Sequence, residues 1–369
     1  MSTLYFSSLA PLASDALQRL SGPEDIKGYF ELPASLQRAL VFCWQWKQGQ
    51  ASFLIPTSGS TGPPKTIEIT RQQIIASVSN TRQALRLTSQ HKALLCIDPA
   101  YIGGMMMLAR ALEIGMDVVG VAPSAQPLVG LPVRPSFLAV VPLQLQRLLE
   151  RDLTTLNAAH ATLVGGAPVS LALEESIKKK ITSPVYSTYG MTETASHVAL
   201  RALNGPEASD AFRVLGNTQI GADSWGCLTL RGAVTQHELI ITNDQVELLD
   251  ERRFRWLGRH DWVINSGGVK VSPEPVERAL AAQGLLTTPD PQFLVVGLPD
   301  GRLGQRVVLV VEGPPAPTSD QQRILRTLAT ALPQYHSPRE IRYVKAIPRT
   351  PNGKLNRQET VTMLLRTIS

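Results

Sequence analysis

The sequence predicts an α/β protein with a large N-terminal domain of helix-covered sheets plus a barrel-like β subdomain, followed by a small α+β C-terminal domain. Between residues 51 and 190, apolar segments with strand character alternate with amphipathic helical segments. Such alternation is typical of a parallel sheet covered by helices. From about residue 212 to 257 only short apolar runs separated by turns remain. That change favours antiparallel or barrel-like strands.

Chain length and composition indicate a globular protein of two or three domains. The 369 residues are too many for one ordinary hydrophobic core. Hydrophobic residues make up 43% and charged residues 18% of the chain, which is unlike a disordered protein. We expect an N-terminal domain over residues 1–258, shortened at its start, and a C-terminal domain over residues 259–369.

Charge and cysteine usage exclude several functional classes. The formal charge is +6, a mild excess that suits anionic small molecules. The basic residues are scattered apart from "KKK" at 178–180, which argues against nucleic-acid binding. No apolar run reaches ~18 residues, so membrane insertion is not expected. Three widely spaced cysteines give no disulfide or zinc pattern. The start lacks a basic segment typical of secretion, and we expect a cytoplasmic protein.

The elements follow in a regular order. After a mixed leader over 1–50, a strand at 51–57 precedes a glycine-rich loop. Thr70 and Gln73 form a capping box that predicts a helix over 71–87. The further predicted strands lie at 92–98, 117–121, 137–142, 161–166, 184–190, 226–232, 237–243, 246–250, 253–258, 293–298, 306–313 and 341–347. The further predicted helices lie at 105–115, 143–152 and 171–181, from Ser272-Pro273 onward, at 320–332 and at the end of the chain.

The loop "TSGSTGPPK" at 57–65 has the composition of a phosphate-binding loop. A Walker loop requires GxxxxGK(S/T), and here Pro64 stands where that pattern needs glycine. Glycine N–H groups, hydroxyls and a lysine can still hold phosphate. An ordinary stiff turn is the alternative. The residues expected to contact phosphate are Thr57, Ser58, Gly59, Ser60, Thr61, Gly62 and Lys65.

This loop resembles the (Y/F)TSGSTGxPK signature of the adenylate-forming superfamily, which includes acyl-CoA synthetases, luciferases and peptide-synthetase adenylation domains. Further motifs resemble that superfamily in the same order along the chain. The resemblance covers residues 54 to 358. The further motifs are "GGAPVS" at 165–170, "YGMTE" at 189–193, "TND" at 242–244, "GRHDWVINSGGVKVSPEPVE" at 258–277, "LPQYHSPREI" at 332–341 and "PRTPNGKLNR" at 348–357.

The resemblance implies a two-step reaction. A carboxylate reacts with ATP to give an acyl-adenylate and pyrophosphate, and a thiol then captures the acyl group. ATP, Mg²⁺ and coenzyme A are the implied cofactors, and a small-molecule carboxylate is the implied substrate. A second copy of the chain, in a homodimer, is a further candidate partner. The small domain is implied to be mobile and to rotate between the two steps.

The resemblance also implies residue roles. Lys354 would stabilise the reacting phosphorus, Thr192 would donate to the α-phosphate and Glu193 would coordinate Mg²⁺. Asp261 would be the hinge. Two of the implied nucleotide-binding residues have a purely structural alternative. Asp244 could be a turn aspartate, and Arg259 could form a surface ion pair. Besides the loop residues, the implied ATP-binding positions are Gly166, Ala167, Tyr189, Gly190, Asp244 and Arg259, and those near coenzyme A are Gly267 and Gly268.

The acid is indicated by "DPAYIGG" at 98–104, where Tyr101 takes the position of the family's usual histidine. Together with the shortened start, it resembles the compact o-succinylbenzoate–CoA ligases of menaquinone biosynthesis. Polar Tyr101, Ser196 and His197 would line the acyl pocket, and Gly103 and Gly104 would leave room for an aromatic ring. A structural histidine is the alternative for His197.

Other functions remain open on the sequence. One alternative is another aryl- or acyl-CoA ligase, and another is an adenylating enzyme that loads a carrier-protein thiol. A different class is a catalytically inactive homologue that only binds nucleotide. The run Met105–Met107 is expected to pack in the core.

Overall fold

The structure is a computed structural model that describes residues 2–6, 11–13, 22, 25–26, 32–57, 65–131, 133–286, 292–350 and 355–366. Within these residues the strands preceding the small sheet are β1 Thr3–Phe6, β2 Leu12–Ala13, β3 Ser52–Thr57, β4 Lys65–Thr70, β5 Lys92–Leu95, β6 Asp117–Gly120, β7 Phe137–Val140, β8 Ala161–Val164, β9 Val185–Met191, β10 Ser196–Ala202, β11 Phe212–Val214, β12 Gln219–Ala222, β13 Cys227–Arg231, β14 Ile240–Leu248 and β15 Arg253–Arg259. The helices alongside them are α1 Ala34–Lys47, α2 Arg71–Leu85, α3 Ile102–Ile114, α4 Pro142–Arg151, α5 Leu153–Ala158 and α6 Leu171–Lys180.

One large sheet organises most of the chain. Its order in the described residues is β12-β13-β14-β15-β11-β10-β9-β8-β7-β5-β6-β1-β2. The strands from β9 to β1 in this order are parallel, as the strand–helix alternation predicts. From β9 to β12 the pairing is antiparallel. The α/β fold class is therefore confirmed, and the antiparallel strands continue the parallel sheet.

Helices cover both faces of the parallel part. Alternate residues of β5 divide between the two cores: Leu95 packs with α1, α2 and α3, whereas Leu94 packs with α4 and α6. Strand side chains buried on both faces explain the continuous apolar runs of the sequence. Met105, Met106 and Met107 of α3 are buried in the first core, as expected for packing residues.

Local sequence signals determine where helix α2 begins and ends. Thr70 accepts the Gln73 N–H and the Gln73 side chain accepts the Thr70 N–H, so the predicted capping box is present. The helix ends at Leu85, two residues earlier than predicted, because Arg86 adopts a left-handed φ of 51°. A left-handed residue ends the run of helical hydrogen bonds.

The leader and strand β10 are more ordered than the sequence indicated. Leu4 of β1 pairs with Val118 of β6, and α1 packs in the first core. The segment after "YGMTE" forms β10, which was not predicted. Its short run "SHVALRA" fits a strand or a helix equally well, and pairing with β9 decides between them.

The small sheet contains β16 Ile264–Ser266, β17 Val269–Val271, β18 Phe293–Asp300, β19 Gly304–Glu312 and β20 Glu340–Val344, with α7 Pro273–Ala282, α8 Thr318–Ala331 and α9 Arg357–Arg366. Strands β18 and β19 are antiparallel and β20 joins β19 in parallel. Helices α7 and α8 pack on one face and α9 on the other. In the described part of the chain, no helix has the length and apolar character needed to cross a membrane.

Candidate active site

The ends of β8 and β9 bring several predicted residues to one edge of the sheet. Gly166 and Ala167 follow β8, and Tyr189 and Gly190 lie close to the carboxyl end of β9. These strands are parallel neighbours, so their carboxyl ends meet at the same edge. In α/β sheets this edge is where ligands usually bind.

A strained turn carries the next two predicted residues. The chain makes a 3-10 turn over Thr192–Thr194 and returns as β10. Ala195 and Ser196 have φ of 48° and 85°, which is unusual for residues with a side chain. The Thr194 hydroxyl accepts the Met191 N–H at 3.1 Å and donates to the Ser196 carbonyl at 2.7 Å. The turn leaves Glu193 exposed and Thr192 half-buried.

Asp244 is held by two donors. The Tyr189 hydroxyl donates to its Oδ2 at 2.7 Å and the Trp256 indole Nε1–H donates to its Oδ1 at 3.1 Å. Burial, and then the charge and hydrogen bond of Asp244, raise the pKa of Tyr189, so the phenol stays a donor. Asp244 is 9% exposed. Each carboxylate oxygen accepts more than one bond, so both can still accept from a diol.

Arg259 is paired with the predicted hinge residue. It donates two hydrogen bonds to Asp261, at 2.9 Å from Nε and 2.7 Å from Nη2. Its Nη1 lies 4.0 Å from Asp244 Oδ1. The hydrogen bonds to Asp261 raise the pKa of Arg259. The two residues flank the start of the 3-10 turn His260–Trp262 that links β15 to the small sheet.

The glycine-rich loop is flanked by an antiparallel hairpin. Thr57 of β3 pairs in register with Lys65 of β4, and Lys65 is exposed. Both ends of the loop are therefore close together. The predicted phosphate contacts Ser58, Gly59, Ser60, Thr61 and Gly62 lie outside the described residues, as does Lys354.

Gly267 and Gly268 have a local reason that the sequence interpretation missed. They form the two-residue turn of the β16–β17 hairpin, where Ser266 pairs with Val269. Their φ values are 61° and 84°. Two positive φ values in such a loop favour glycine strongly, so turn geometry alone accounts for both. They are exposed at the hairpin tip.

Gly104 corrects part of the expected acyl pocket. A Cβ on Gly104 would lie 2.4 Å from the Ile97 carbonyl oxygen and 2.6 Å from the Asp98 carbonyl. The residue is therefore glycine because α3 packs against this backbone, and its missing side chain leaves no room for a ring. A Cβ on Gly103 would contact only the Ile97 side chain, at 3.7 Å. Tyr101 precedes α3 and is 38% exposed.

Arg110 lies in the core, and none of the described acidic side chains pairs with it. This α3 residue is 2% exposed. Its Nη2 lies 3.3 Å from His197 Nδ1, and its Nε has no hydrogen-bond partner among the described residues. No carboxylate in the described residues forms a salt bridge with it. Burial lowers the pKa of Arg110 to about 10, which leaves it charged at neutral pH.

The family model described as AMP-binding enzyme matches residues 32–220. The model described as AMP-binding enzyme C-terminal domain matches residues 292–354. The chain belongs to the AMP-binding enzyme family. The membership expected from the ordered motifs is confirmed.

Relatives of this AMP-binding enzyme include proteins named for a ligase activity. One is the "Probable 2-succinylbenzoate--CoA ligase" of Mycobacterium tuberculosis, 30% identical over 96% of this chain and 95% of the relative. Another is the "2-succinylbenzoate--CoA ligase" of Bacillus cereus, 26% identical over 84% of this chain and 69% of the relative.

Solved structures resemble the AMP-binding enzyme over most of its length. An acyl-CoA synthetase (AMP-forming)/AMP-acid ligase II-like protein from Dyadobacter fermentans is 39% identical, with a TM-score of 0.60, over 93% of this chain and 99% of that one. The O-succinylbenzoate coenzyme A synthetase of Bacillus subtilis, in complex with ATP and magnesium, is 23% identical with a TM-score of 0.70. The matches cover 83% of this chain and 69% of that one, and this second likeness supports the fold.

Two residues of the candidate site, Trp256 and Arg110, were not predicted from the sequence. Trp256 precedes the hinge motif, and only pairing of β14 with β15 brings it to Asp244. Arg110 had a visible signal, since it is a single charge inside the apolar helical run "MMMLARAL". A charged side chain is rarely fully buried unless it is paired.

Proposed function

We propose that this AMP-binding enzyme is an AMP-forming acid–CoA ligase that converts o-succinylbenzoate to o-succinylbenzoyl-CoA. The acid would react with ATP to form an acyl-adenylate and release pyrophosphate. Coenzyme A would then capture the acyl group as a thioester and release AMP. Family membership and the Mycobacterium tuberculosis relative support this proposal.

The buried charge of Arg110 is the observation that supports this choice of substrate. Within the described residues this guanidinium meets no carboxylate, and a buried charge without an opposite charge is strongly destabilising because it has lost its water. O-succinylbenzoate is a dianion: one carboxylate is activated, and the ring carboxylate needs a cationic donor. His197, which contacts Arg110, follows Ser196 and pairs with Gly190 in the sheet. Arg110 thus lies one step behind the edge where the other site residues meet.

Nucleotide binding would use the edge formed by β9, β14 and β15. Asp244 would accept the ribose hydroxyls while Tyr189 and Trp256 keep its carboxylate oriented. Gly166 and Ala167 would line the adenine, and Tyr189 would stack on it. Arg259 would reach ribose or phosphate after it leaves Asp261. The loop positions from Thr57 to Lys65 would hold the outer phosphates.

A magnesium ion fits the donor set of this edge. No group of three His, Cys, Asp or Glu side chains in the described residues could hold a metal alone. Exposed Glu193 offers one carboxylate, and Mg²⁺ typically takes one or two carboxylates together with phosphate oxygens. The ion would neutralise phosphate charge during adenylation. Thr192 would donate to the α-phosphate, and Lys354 would stabilise the same centre.

We also propose the domain arrangement and surroundings. The domain boundary would lie at 258/259, with Asp261 as the hinge and the Gly267–Gly268 tip close to coenzyme A in the second step. Cytoplasmic location is proposed because all three cysteines are buried free thiols and the reaction consumes ATP. A homodimer stays a prediction that light scattering after size-exclusion chromatography tests.

Pyrophosphate release over a panel of carboxylic acids, with and without coenzyme A, tests this function. We expect o-succinylbenzoate to be the best substrate and thioester to form only with coenzyme A. A fatty acid or benzoate as best substrate would leave only the general ligase assignment. Thioester formed on a carrier protein, and not on coenzyme A, would favour the carrier-loading alternative. Nucleotide binding without any turnover would favour an inactive homologue.

A further inference from the structure

His197 connects two other buried side chains from different elements. Its Nε2 lies 2.9 Å from the hydroxyl of Thr81, on α2, and its Nδ1 lies 3.3 Å from Arg110, on α3. Thr81 is 0% exposed, Arg110 2% and His197 6%. The three side chains therefore form a buried hydrogen-bonded chain that runs from α2 through β10 to α3.

Donor and acceptor counting gives this chain one arrangement. A guanidinium only donates hydrogen bonds, so His197 Nδ1 must present its lone pair to Arg110. A neutral imidazole with a bare Nδ1 carries its proton on Nε2. That N–H must then donate to Thr81 Oγ1. The Thr81 hydroxyl satisfies its own proton elsewhere, since it donates to the Ser77 carbonyl at 2.9 Å.

Every other arrangement leaves a conflict. If Thr81 donated to His197 Nε2, the imidazole proton would lie on Nδ1 and would face the N–H groups of Arg110. A protonated imidazole would put the same donor there beside a second positive charge. Burial and the charge of Arg110 lower the pKa of His197 well below its ordinary value, in agreement with a neutral ring.

We propose that Thr81 is a positioning residue for acid recognition: it accepts the hydrogen bond of the His197 Nε2–H and so fixes the orientation of the imidazole, and His197 thereby holds the Arg110 guanidinium in place for the substrate's second carboxylate. This inference rests on the proposed function for its link to substrate. Thr81 lies in none of the recognised motifs. Thr81 does not contact the acid and acts on it through His197 and Arg110.

The tautomer is measured first, without any substrate. Protein labelled with ¹⁵N-histidine is examined by heteronuclear NMR, and the His197 signals are assigned by their loss in His197→Asn. We expect a protonated Nε2 and a bare Nδ1 in the wild type and in Thr81→Ser. In Thr81→Val, which keeps the shape but removes the acceptor, we expect the His197 Nε2–H proton to lose its hydrogen-bonded chemical shift, while Nδ1 stays bare towards Arg110. A protonated Nδ1 in the wild type would overturn the proposal.

Kinetics then test the link to the acid. Thr81→Val should raise the KM for o-succinylbenzoate roughly tenfold and leave the KM for ATP unchanged. It should leave 4-oxo-4-phenylbutanoate, which lacks the ring carboxylate, nearly unaffected. Thr81→Ser should restore the wild-type preference. Equal losses with both acids would show a merely structural role and overturn the proposal.

Failure of the proposed function gives a different pattern. If Arg110→Met does not affect the KM for one acid more than for the other, Arg110 does not bind the ring carboxylate and the substrate assignment is wrong, whatever the NMR result for His197. If Arg110→Met selectively impairs o-succinylbenzoate but Thr81→Val does not, the substrate assignment stands and the role of Thr81 is refuted.

Discussion

Arg259 donates two hydrogen bonds to Asp261, one from Nε at 2.9 Å and one from Nη2 at 2.7 Å. The bidentate pair joins the end of β15 to the turn that leads to the small sheet. One member is proposed to reach the nucleotide and the other to absorb the domain rotation. Movement of the small domain would therefore change how Arg259 is held, which links the hinge to the nucleotide site.

Asp261→Pro tests the hinge. Proline fixes φ near −65° and prevents the large backbone change that a hinge requires. We expect one half-reaction to survive and the other to fall, when adenylate formation and thioester formation are measured separately. Asp261→Ala is the matched control, because it removes the ion pair and keeps the backbone free. If Asp261→Pro runs both steps at wild-type rates, the rotation is centred elsewhere.

Lys354→Ala should separate the two steps. A charge that stabilises the reacting phosphorus acts only during adenylation, and its loss should slow that step roughly 100-fold or more. Conversion of pre-made acyl-adenylate and coenzyme A to thioester should continue. Lys345→Ala, an exposed lysine of the same domain, is the control and should leave both rates unchanged. Equal loss of both steps in Lys354→Ala would contradict the assigned role.

Trp256→Phe tests the support of Asp244. The change removes the indole N–H that donates to Asp244 Oδ1 and keeps an aromatic ring in place. A hydrogen bond to a charged group contributes about 1.5 kcal/mol or more, so we expect the KM for ATP to rise about tenfold. The KM for the acid should stay constant. Trp225→Phe, at a 57% exposed position, is the control. An unchanged KM for ATP would show that Tyr189 alone orients Asp244.

Glu274 predicts a pH dependence of stability. Both its carboxylate oxygens are buried without a hydrogen-bond partner among the described residues, and burial raises its pKa from 4.5 to about 7 although Arg357 opposes the shift. The folded chain therefore holds this proton more tightly than the unfolded chain. The resulting stabilisation is complete below about pH 4.5 and is lost as pH rises through about 7. It corresponds to about 3 kcal/mol.

Urea unfolding of Glu274→Gln against the wild type, from pH 5 to 9, measures this effect. Because glutamine does not ionise, the variant should gain stability relative to the wild type as pH rises. Glu175→Gln, on the surface of α6 with the side chain 69% exposed, should follow the wild type at every pH. A constant difference between Glu274→Gln and the wild type would show that Glu274 does not titrate in this range.

The sequence predicted what depends on local signals. The capping box of Thr70 and Gln73, the alternation that builds the parallel sheet and the apolar packing of Met105–Met107 follow from neighbouring residues. The pairing of Asp244 with Tyr189 and Trp256 does not. It depends on three strands that meet only in the folded sheet, over sequence separations of 55 and 12 residues.

The acyl pocket shows the limit most clearly. Glycine at position 104 looked like space for a ring, yet the space is filled by backbone of the preceding segment. The charge at Arg110 was visible in the sequence, but its lack of an acidic partner within the described parts of the chain was not. A missing counter-ion is a property of everything packed around a residue. Only the arrangement of α3 against β10 reveals it.

The most direct test of the central claim compares two acids with two variants. The specificity constant, kcat/KM, for coenzyme A ester formation is measured with o-succinylbenzoate and with 4-oxo-4-phenylbutanoate. The wild type should prefer the dianion roughly 100-fold, and Arg110→Met should abolish most of that preference. Arg82→Met, at an exposed position on α2, should retain it. Equal use of both acids by the wild type, or an unchanged preference in Arg110→Met, would contradict the account.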